Sequence, residues 1–144
     1  MTVLRKLLKD QDPMVIRSLL LNPRLTESEV LKIASLRPTS PRILEEVFHN
    51  ATWVARYRVK KALVCNPYSP PSIAVHLLKF LLLSDLREIA QFENLHLAVK
   101  EIAHQLLRER MKWDDQLLGA SGGGLTAGAA FFRLSFFLMA LSLN

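Results

Sequence analysis

The stretch TWVARYRVKKALV, residues 52–64, carries the side chains with the clearest capacity for molecular recognition. On a helical projection one half of its surface interleaves two aromatic rings with three cations. The members of that half are Trp53, Arg56, Tyr57, Lys60 and Lys61. Cations bind phosphates while rings stack on bases, and an aromatic–arginine pair is also typical of a protein-binding hot spot. A structural interpretation fits as well, in which Trp53 and Tyr57 pack against a neighbouring element and the cations are only solvated. Arg58 alone falls on the apolar half, where it is expected to reach solvent or pair with a carboxylate.

No pattern in the chain predicts catalysis. There is no glycine-rich phosphate loop, no His-x-x-x-His spacing and no recognisable Ser/His/Asp motif. The adjacent Glu45 and Glu46 diverge by about 100° on a helix and cannot converge on one substrate. Cys65 is the only cysteine, which excludes a disulfide framework and a cysteine-rich metal site, and its helical register predicts a buried thiol. We therefore expect no enzyme activity, cofactor, metal or small-molecule substrate.

Composition predicts one globular domain with a basic surface. The chain has 144 residues, is 50% hydrophobic and carries a formal charge of +6. All of the excess falls in residues 1–110, which hold 17 Lys and Arg against 11 Asp and Glu. Such a surplus is compatible with an anionic partner. The charged N-terminus has no continuous apolar run of the kind found in signal peptides, so a cytoplasmic location is expected.

Helix punctuation is dense along residues 1–110, and strand signals are absent. Asp12-Pro13 and Ser40-Pro41 each place an N-cap before a proline, and TESE at 26–29 is a capping box. Short connections between helices predict antiparallel hairpins. The predicted helices span 2–9, 13–21, 26–35, 41–49, 53–65, 70–82, 84–91 and 95–110.

One phrase occurs twice. VIRSLLLNPRLT at 15–26 and VKKALVCNPYSP at 59–70 align their apolar positions and their Asn-Pro pairs. Asparagine accepts the left-handed conformation at a helix end, and the following proline prevents the helix from continuing. A unit of this size cannot bury its apolar face alone, so the repetition predicts stacked units with a continuous core.

The second copy resembles the leucine-rich repeat variant, whose units are typified by Val-Arg, a short apolar run, Asn-Pro and Thr/Ser-Pro. DPMVIR at 12–17 is similar to HEAT repeats, where an Asp and a Val-Arg lie at the start of the second helix. The resemblance covers residues 10–82, and more loosely extends to 110. It implies an all-α fold, a short right-handed α-solenoid of stacked helical hairpins, which acts as a scaffold for proteins or nucleic acids. It also implies a structural role for Arg17, although this residue aligns with Lys61 and can instead extend the basic stripe. Some leucine-rich-repeat-variant proteins hold an iron–sulfur cluster on a separate cysteine motif, which this chain lacks.

The end of the chain differs in character, because all five glycines lie between Gly119 and Gly128. We predict a helical-repeat domain over 1–112, a glycine-rich linker over 113–124 and a hydrophobic segment over 125–144. Residues 125–143 are barely long enough to cross a bilayer, and the cost of a central arginine, about 3 kcal/mol, nearly offsets the gain from the leucines and phenylalanines. Three interpretations stay open: a membrane anchor, which would make the protein membrane-associated; a helix capping the solenoid; or a non-native tail, such as a frame-shifted end.

These features together predict a non-enzymatic scaffold or binding module. We expect its partner to be another protein. The alternative is a nucleic-acid-binding protein that uses the basic and aromatic face of residues 53–61.

Overall fold

A computed structural model of the chain describes residues 2–119. This part of the chain is all-helical and contains no strand, as the sequence predicts. Its nine helices are α1 (Thr2–Leu7), α2 (Pro13–Leu20), α3 (Glu27–Ser35), α4 (Pro41–His49), α5 (Ala51–Val54), α6 (Tyr57–Cys65), α7 (Pro71–Leu78), α8 (Leu83–Gln91) and α9 (Leu97–Gly119).

Local signals start several of these helices. The Asp12 carboxylate accepts the Met14 N–H at 2.9 Å, and Pro13 occupies the first turn of α2. Thr26 and Glu29 form the expected capping box of α3, with the Thr26 N–H 2.8 Å from the Glu29 carboxylate. The hydrogen bonds from Thr26 hold the pKa of Glu29 below its ordinary value.

The prediction of a single helix over 53–65 is wrong, because the chain turns at Arg56 and forms α5 and α6 instead. Asn50 caps α5 by accepting the Trp53 N–H at 3.3 Å. Arg56 then adopts an extended conformation, with φ −73° and ψ 127°, and α6 begins at Tyr57. The break changes the helical phase of every residue after Ala55, so the projection that placed the candidate binding residues on one face does not hold.

Asn22 and Asn66, the two asparagines of the repeated phrase, make the same local turn. Each side-chain oxygen accepts the N–H two residues later, from Arg24 at 2.9 Å and from Tyr68 at 3.0 Å. The expected left-handed conformation is wrong, since no non-glycine residue of 2–119 has a positive φ, and Asn66 has φ −86° and ψ 117°. The helix ends because a residue before proline disfavours the α conformation and the Asn side chain bonds the next turn.

The apolar faces of the helices meet in one core. Helix α2 packs against α4, α3 against α4 and α6, and α6 against α7. Removal of these side chains from water is the main stabilising term of such a fold. The largest fully buried members include Ile16, Ile33, Ile43, Leu44, Leu63, Leu77, Leu78, Leu81, Leu86 and Ile89.

Polar contacts join α3, α6 and α8, which lie next to one another with their N-termini at the same end. At the N-terminal ends, Arg56 pairs with Glu27, and the Tyr57 hydroxyl accepts the Leu82 N–H. At the C-terminal ends of α3 and α6, the Asn66 amide donates to the Ala34 and Leu36 carbonyls at 2.8 and 3.1 Å. We call the side where α3, α6 and α8 begin the N-terminal edge.

The chain divides into two units between Arg108 and Glu109. Helix α9 ends at Gly119 rather than at residue 110, so the part of the predicted linker from 113 to 119 is helical. The rest of that linker, 120–124, and the hydrophobic segment 125–144 lie outside the described residues. Within residues 2–119, no helix combines the length and apolar character needed to cross a membrane.

Candidate protein-binding surface

Trp53 is a buried anchor between helices. The residue is only 8% exposed, and Nε1 of its indole donates to the Leu20 carbonyl at 3.0 Å. The prediction that Trp53 lies on an outer face is therefore wrong. The cause is the short helix α5, which directs the ring toward the end of α2 while its N–H meets a carbonyl that the helix end leaves unpaired.

Tyr57 also links two helices. Its hydroxyl donates to a carboxylate oxygen of Asp85 and accepts the Leu82 N–H at 3.0 Å. Burial and the hydrogen bond to Asp85 raise the pKa of Tyr57 above its ordinary value. The phenol ring is half-buried, and its hydroxyl is occupied by these two hydrogen bonds. Tyr57 therefore fits the structural interpretation better than the role of a free contact residue.

Lys61 completes the same cluster. Its ammonium lies 2.9 Å from Asp85 and 2.9 Å from Glu88, and these two hydrogen bonds raise the pKa of Lys61. Burial alone would raise the pKa of Asp85, but the hydrogen bonds from Tyr57 and Lys61 outweigh it and lower that pKa. Tyr57 and Lys61, both predicted to face a partner, instead converge on α8.

Arg17 lies apart from this cluster. It makes a two-point contact with Glu46, with Nε and Nη2 at 2.7 and 2.8 Å from the two carboxylate oxygens. This contact joins α2 to α4, and the hydrogen bond lowers the pKa of Glu46 despite partial burial. The geometry favours a structural arginine over an extension of the basic stripe.

Two arginines at the start of α6 remain largely in solvent. The side chains of Arg56 and Arg58 are 54% and 73% exposed, and both approach the single carboxylate of Glu27, at 3.4 and 4.0 Å. The Arg56 guanidinium also lies 5.9 Å from the centre of the Trp53 ring. We call Arg56 and Arg58 the arginine edge.

Lys60 faces a different neighbour. Its ammonium lies 5.0 Å from the centre of the Phe80 ring, and Lys79 approaches the same ring at 5.6 Å. Both cations border the N-terminal edge, because Lys79 and Phe80 lie in the connection that leads to α8. Lys60 is half-buried there, so only part of its surface is available to a partner.

Arg58 reaches solvent and approaches the carboxylate of Glu27, as expected from the sequence. The continuous helix nevertheless assigned it to the apolar half, whereas it is the most exposed residue in the ion pairs of this region. Asn50 is the signal that could have corrected the assignment. An asparagine one residue before Ala-Thr-Trp is a good N-cap, and a helix that starts at Ala51 makes a turn before Tyr57 possible.

Other surfaces carry less chemistry. A shallow groove of about 460 Å³ is lined by Leu7, Met14, Val15, Ser18, Leu19 and Asn22. Within residues 2–119, no three His, Cys, Asp or Glu side chains are grouped closely enough to hold a metal ion. The Cys65 thiol is partly buried, and its burial raises its pKa to about 11.

No family model matches this chain, and no curated protein or solved structure shows significant similarity to it. Its surface must therefore be interpreted from its own geometry and charge.

Proposed function

We propose that this chain is a non-enzymatic helical-repeat protein that binds another protein through the arginine edge. The distribution of the candidate residues supports this proposal. Contacts between helices occupy four of them, namely Trp53, Tyr57, Lys61 and Arg17. In contrast, Arg56 and Arg58 are largely exposed to solvent and share one carboxylate. That surplus of exposed guanidinium groups is the observation that carries the proposal.

A short α-solenoid is the architecture we infer for residues 10–108. Recurrent polar links support it, since they join residues at similar separations: Arg17 to Glu46 across 29 positions, Arg37 to the Cys65 carbonyl across 28, and Asn66 to the Leu36 carbonyl across 30. The contacts of α2 with α4 and of α3 with α6 have the same spacing. Translation of a helical pair by one unit would produce this regularity.

This unit differs from the 44-residue spacing of the repeated phrase. Asn22 follows α2, which packs on α4, whereas Asn66 follows α6, which packs on α3. In the proposed solenoid, the first copy of the phrase therefore belongs to the first helix of one pair. The second copy belongs to the second helix of the next pair. The repetition reflects a shared way of ending a helix rather than the repeat unit itself.

Exposed apolar side chains in the segments that Trp53 and Tyr57 contact favour a protein partner. Leu21, beside the Leu20 carbonyl that Trp53 contacts, is 73% exposed, and Leu82, whose N–H is bonded by Tyr57, is 55% exposed. Arginine with apolar neighbours is typical of protein interfaces. Nucleic-acid binding through residues 53–61 receives less support, because the Trp53 ring is buried and the Tyr57 hydroxyl is engaged, which leaves phosphate contacts without stacking.

Affinity capture from the native host tests the proposal. The full chain, the variant Arg56→Glu/Arg58→Glu and the control Arg5→Glu/Arg42→Glu are used as baits, each with and without nuclease. Arg5 and Arg42 are exposed arginines of α1 and α4. We expect one protein to bind the wild type and the control after nuclease treatment and to bind directly when purified.

Two results would contradict this function. If every captured protein disappears with nuclease, the chain acts through nucleic acid. If no purified candidate binds directly, the protein-binding proposal fails.

A further inference from the structure

We propose that the segment bound by the arginine edge is an acidic peptide with apolar side chains among its carboxylates. This inference rests on the proposed protein-binding function and specifies the chemistry of the partner. It follows from two features of the surface around α6. The first is which charges are already neutralised within the chain, and the second is which side chains accompany the charges that are not.

The first step is the local charge balance. Asp85 and Glu88 are occupied by Lys61, Asp85 additionally by Tyr57, and Glu29 is held by Thr26. Glu27 faces the arginines, and it is divided between Arg56 and Arg58 at distances longer than a strong charge-assisted hydrogen bond. Two guanidinium groups therefore retain most of their N–H donors for external acceptors.

The second step is the start of α6. Its first turn contains no acidic residue, and its N-cap is Arg56, whose side chain makes no capping hydrogen bond. Cations here oppose the helix dipole, so the local potential is more positive than the formal charges alone give. A carboxylate held by Arg56 and Arg58 would offset this repulsion, which makes the partner's acidic groups favourable here.

The third step distinguishes a peptide from a polynucleotide. Trp53 of α5 contacts the Leu20 carbonyl and Tyr57 of α6 contacts the Leu82 N–H, so Leu21 and Leu82 belong to the segments at these two contacts. Both side chains are more than half exposed. Phosphates gain nothing from such leucines, whereas apolar side chains of a peptide bury against them. Charge complementarity therefore favours carboxylates, and the leucines favour carboxylates that belong to a protein.

A peptide-display selection tests the inference. A random library is selected on the full chain, with Arg56→Glu/Arg58→Glu as counter-selection and Arg5→Glu/Arg42→Glu as the matched control. We expect enrichment of peptides rich in Asp and Glu with interspersed Leu, Ile or Phe. The enriched peptides, made synthetically, should bind the control variant like the wild type and the edge variant at least about tenfold more weakly. Leu82→Ser should weaken the same peptides without changing their salt dependence.

The other outcomes each overturn the inference. Enriched peptides without an acidic excess, or with equal affinity for the edge variant, would reject it while leaving a protein-binding function in place. Failure to enrich any peptide, together with direct retention of a single-stranded or duplex oligonucleotide, would reject both this inference and the protein-binding proposal. Failure to enrich any peptide without such retention would reject the acidic-peptide inference alone. The variants are compared only if far-UV circular dichroism and cooperative thermal unfolding match the wild type.

Discussion

The hydroxyl of Tyr57 in α6 caps the start of α8 together with Asp85. Leu82 holds the N-cap position of α8 but has no side-chain acceptor. The Tyr57 hydroxyl accepts the Leu82 N–H and donates to Asp85, the third residue of α8. In α3 the Thr26 hydroxyl and Glu29 do the equivalent task within one helix. The start of α8 thus depends on a neighbouring helix.

Tyr57→Phe should lower the free energy of unfolding by about 1–2 kcal/mol, because it removes a partly buried hydroxyl and leaves the Leu82 N–H without its acceptor. Urea unfolding monitored by circular dichroism measures the change. Tyr68→Phe is the control, since Tyr68 is 42% exposed and should change stability little. Equal stability of the two variants would contradict the capping role of Tyr57.

Asp85 should make stability depend on acid pH. Its folded pKa is below its ordinary value of 3.8, so its contribution is complete above that value and is lost as pH falls through the lower folded pKa. The stability difference between wild type and Asp85→Asn should therefore shrink as the pH falls below about 4. Urea unfolding from pH 6 down to the acid limit of the folded state measures it. A difference that stays constant or grows toward acid pH would refute this assignment.

The two asparagines of the repeated phrase should differ in importance. Asn66→Ala should cost about 2–3 kcal/mol, because Asn66 is 1% exposed and its amide satisfies two carbonyls of the α3 end. Asn22→Ala should cost less than about 1 kcal/mol, since Asn22 is exposed and its side-chain oxygen bonds only the local turn. The denaturant midpoints of the two variants measure this difference, and similar losses of stability would contradict it.

Trp53 should report burial in fluorescence. In Trp113→Phe the remaining Trp53 emission should lie at short wavelength and resist acrylamide quenching, because the residue is 8% exposed. In Trp53→Phe the remaining Trp113, 64% exposed, should emit at longer wavelength and be quenched readily. The second variant should also lose about 2 kcal/mol of stability through the missing indole hydrogen bond and ring volume. Equal quenching in the two variants would contradict the placement of Trp53.

The Cys65 thiol should react slowly in the folded protein. Its pKa of about 11, against an ordinary 9.0, reduces the thiolate fraction at pH 8 by about 100-fold. Iodoacetamide labelling followed by mass spectrometry should be slow at pH 8, should accelerate as pH rises toward 11 and should be fast in denaturant. Cys65→Ser is the blank. Rapid labelling at pH 8 without unfolding would disprove a suppressed thiol.

The helix pattern was predictable because its signals are local. Asp12-Pro13, the Thr26–Glu29 box and Ser40-Pro41 identify helix starts within a few residues, and a helix begins at each, although the Ser40 side chain makes no capping hydrogen bond. Asn-Pro also marks helix ends, although through a side-chain turn rather than the expected left-handed residue. The helix predicted over 53–65 misses the break before Tyr57, which the Asn50 cap and the start of α5 at Ala51 make possible.

The sequence by itself therefore determined the all-helical class and most helix bounds, because caps and prolines act on the nearest few residues. Only the tertiary structure decided the role of each candidate side chain. Trp53, Tyr57, Lys61 and Arg17 find partners 24–33 positions away, and no local pattern reveals such partners. Arg58, which the continuous helix assigned to the apolar half, is the most exposed residue in the ion pairs of this region, because the chain turns at Arg56. Local physics fixes where most helices begin and end, whereas packing completes the start of α8 and decides which charges remain for a partner.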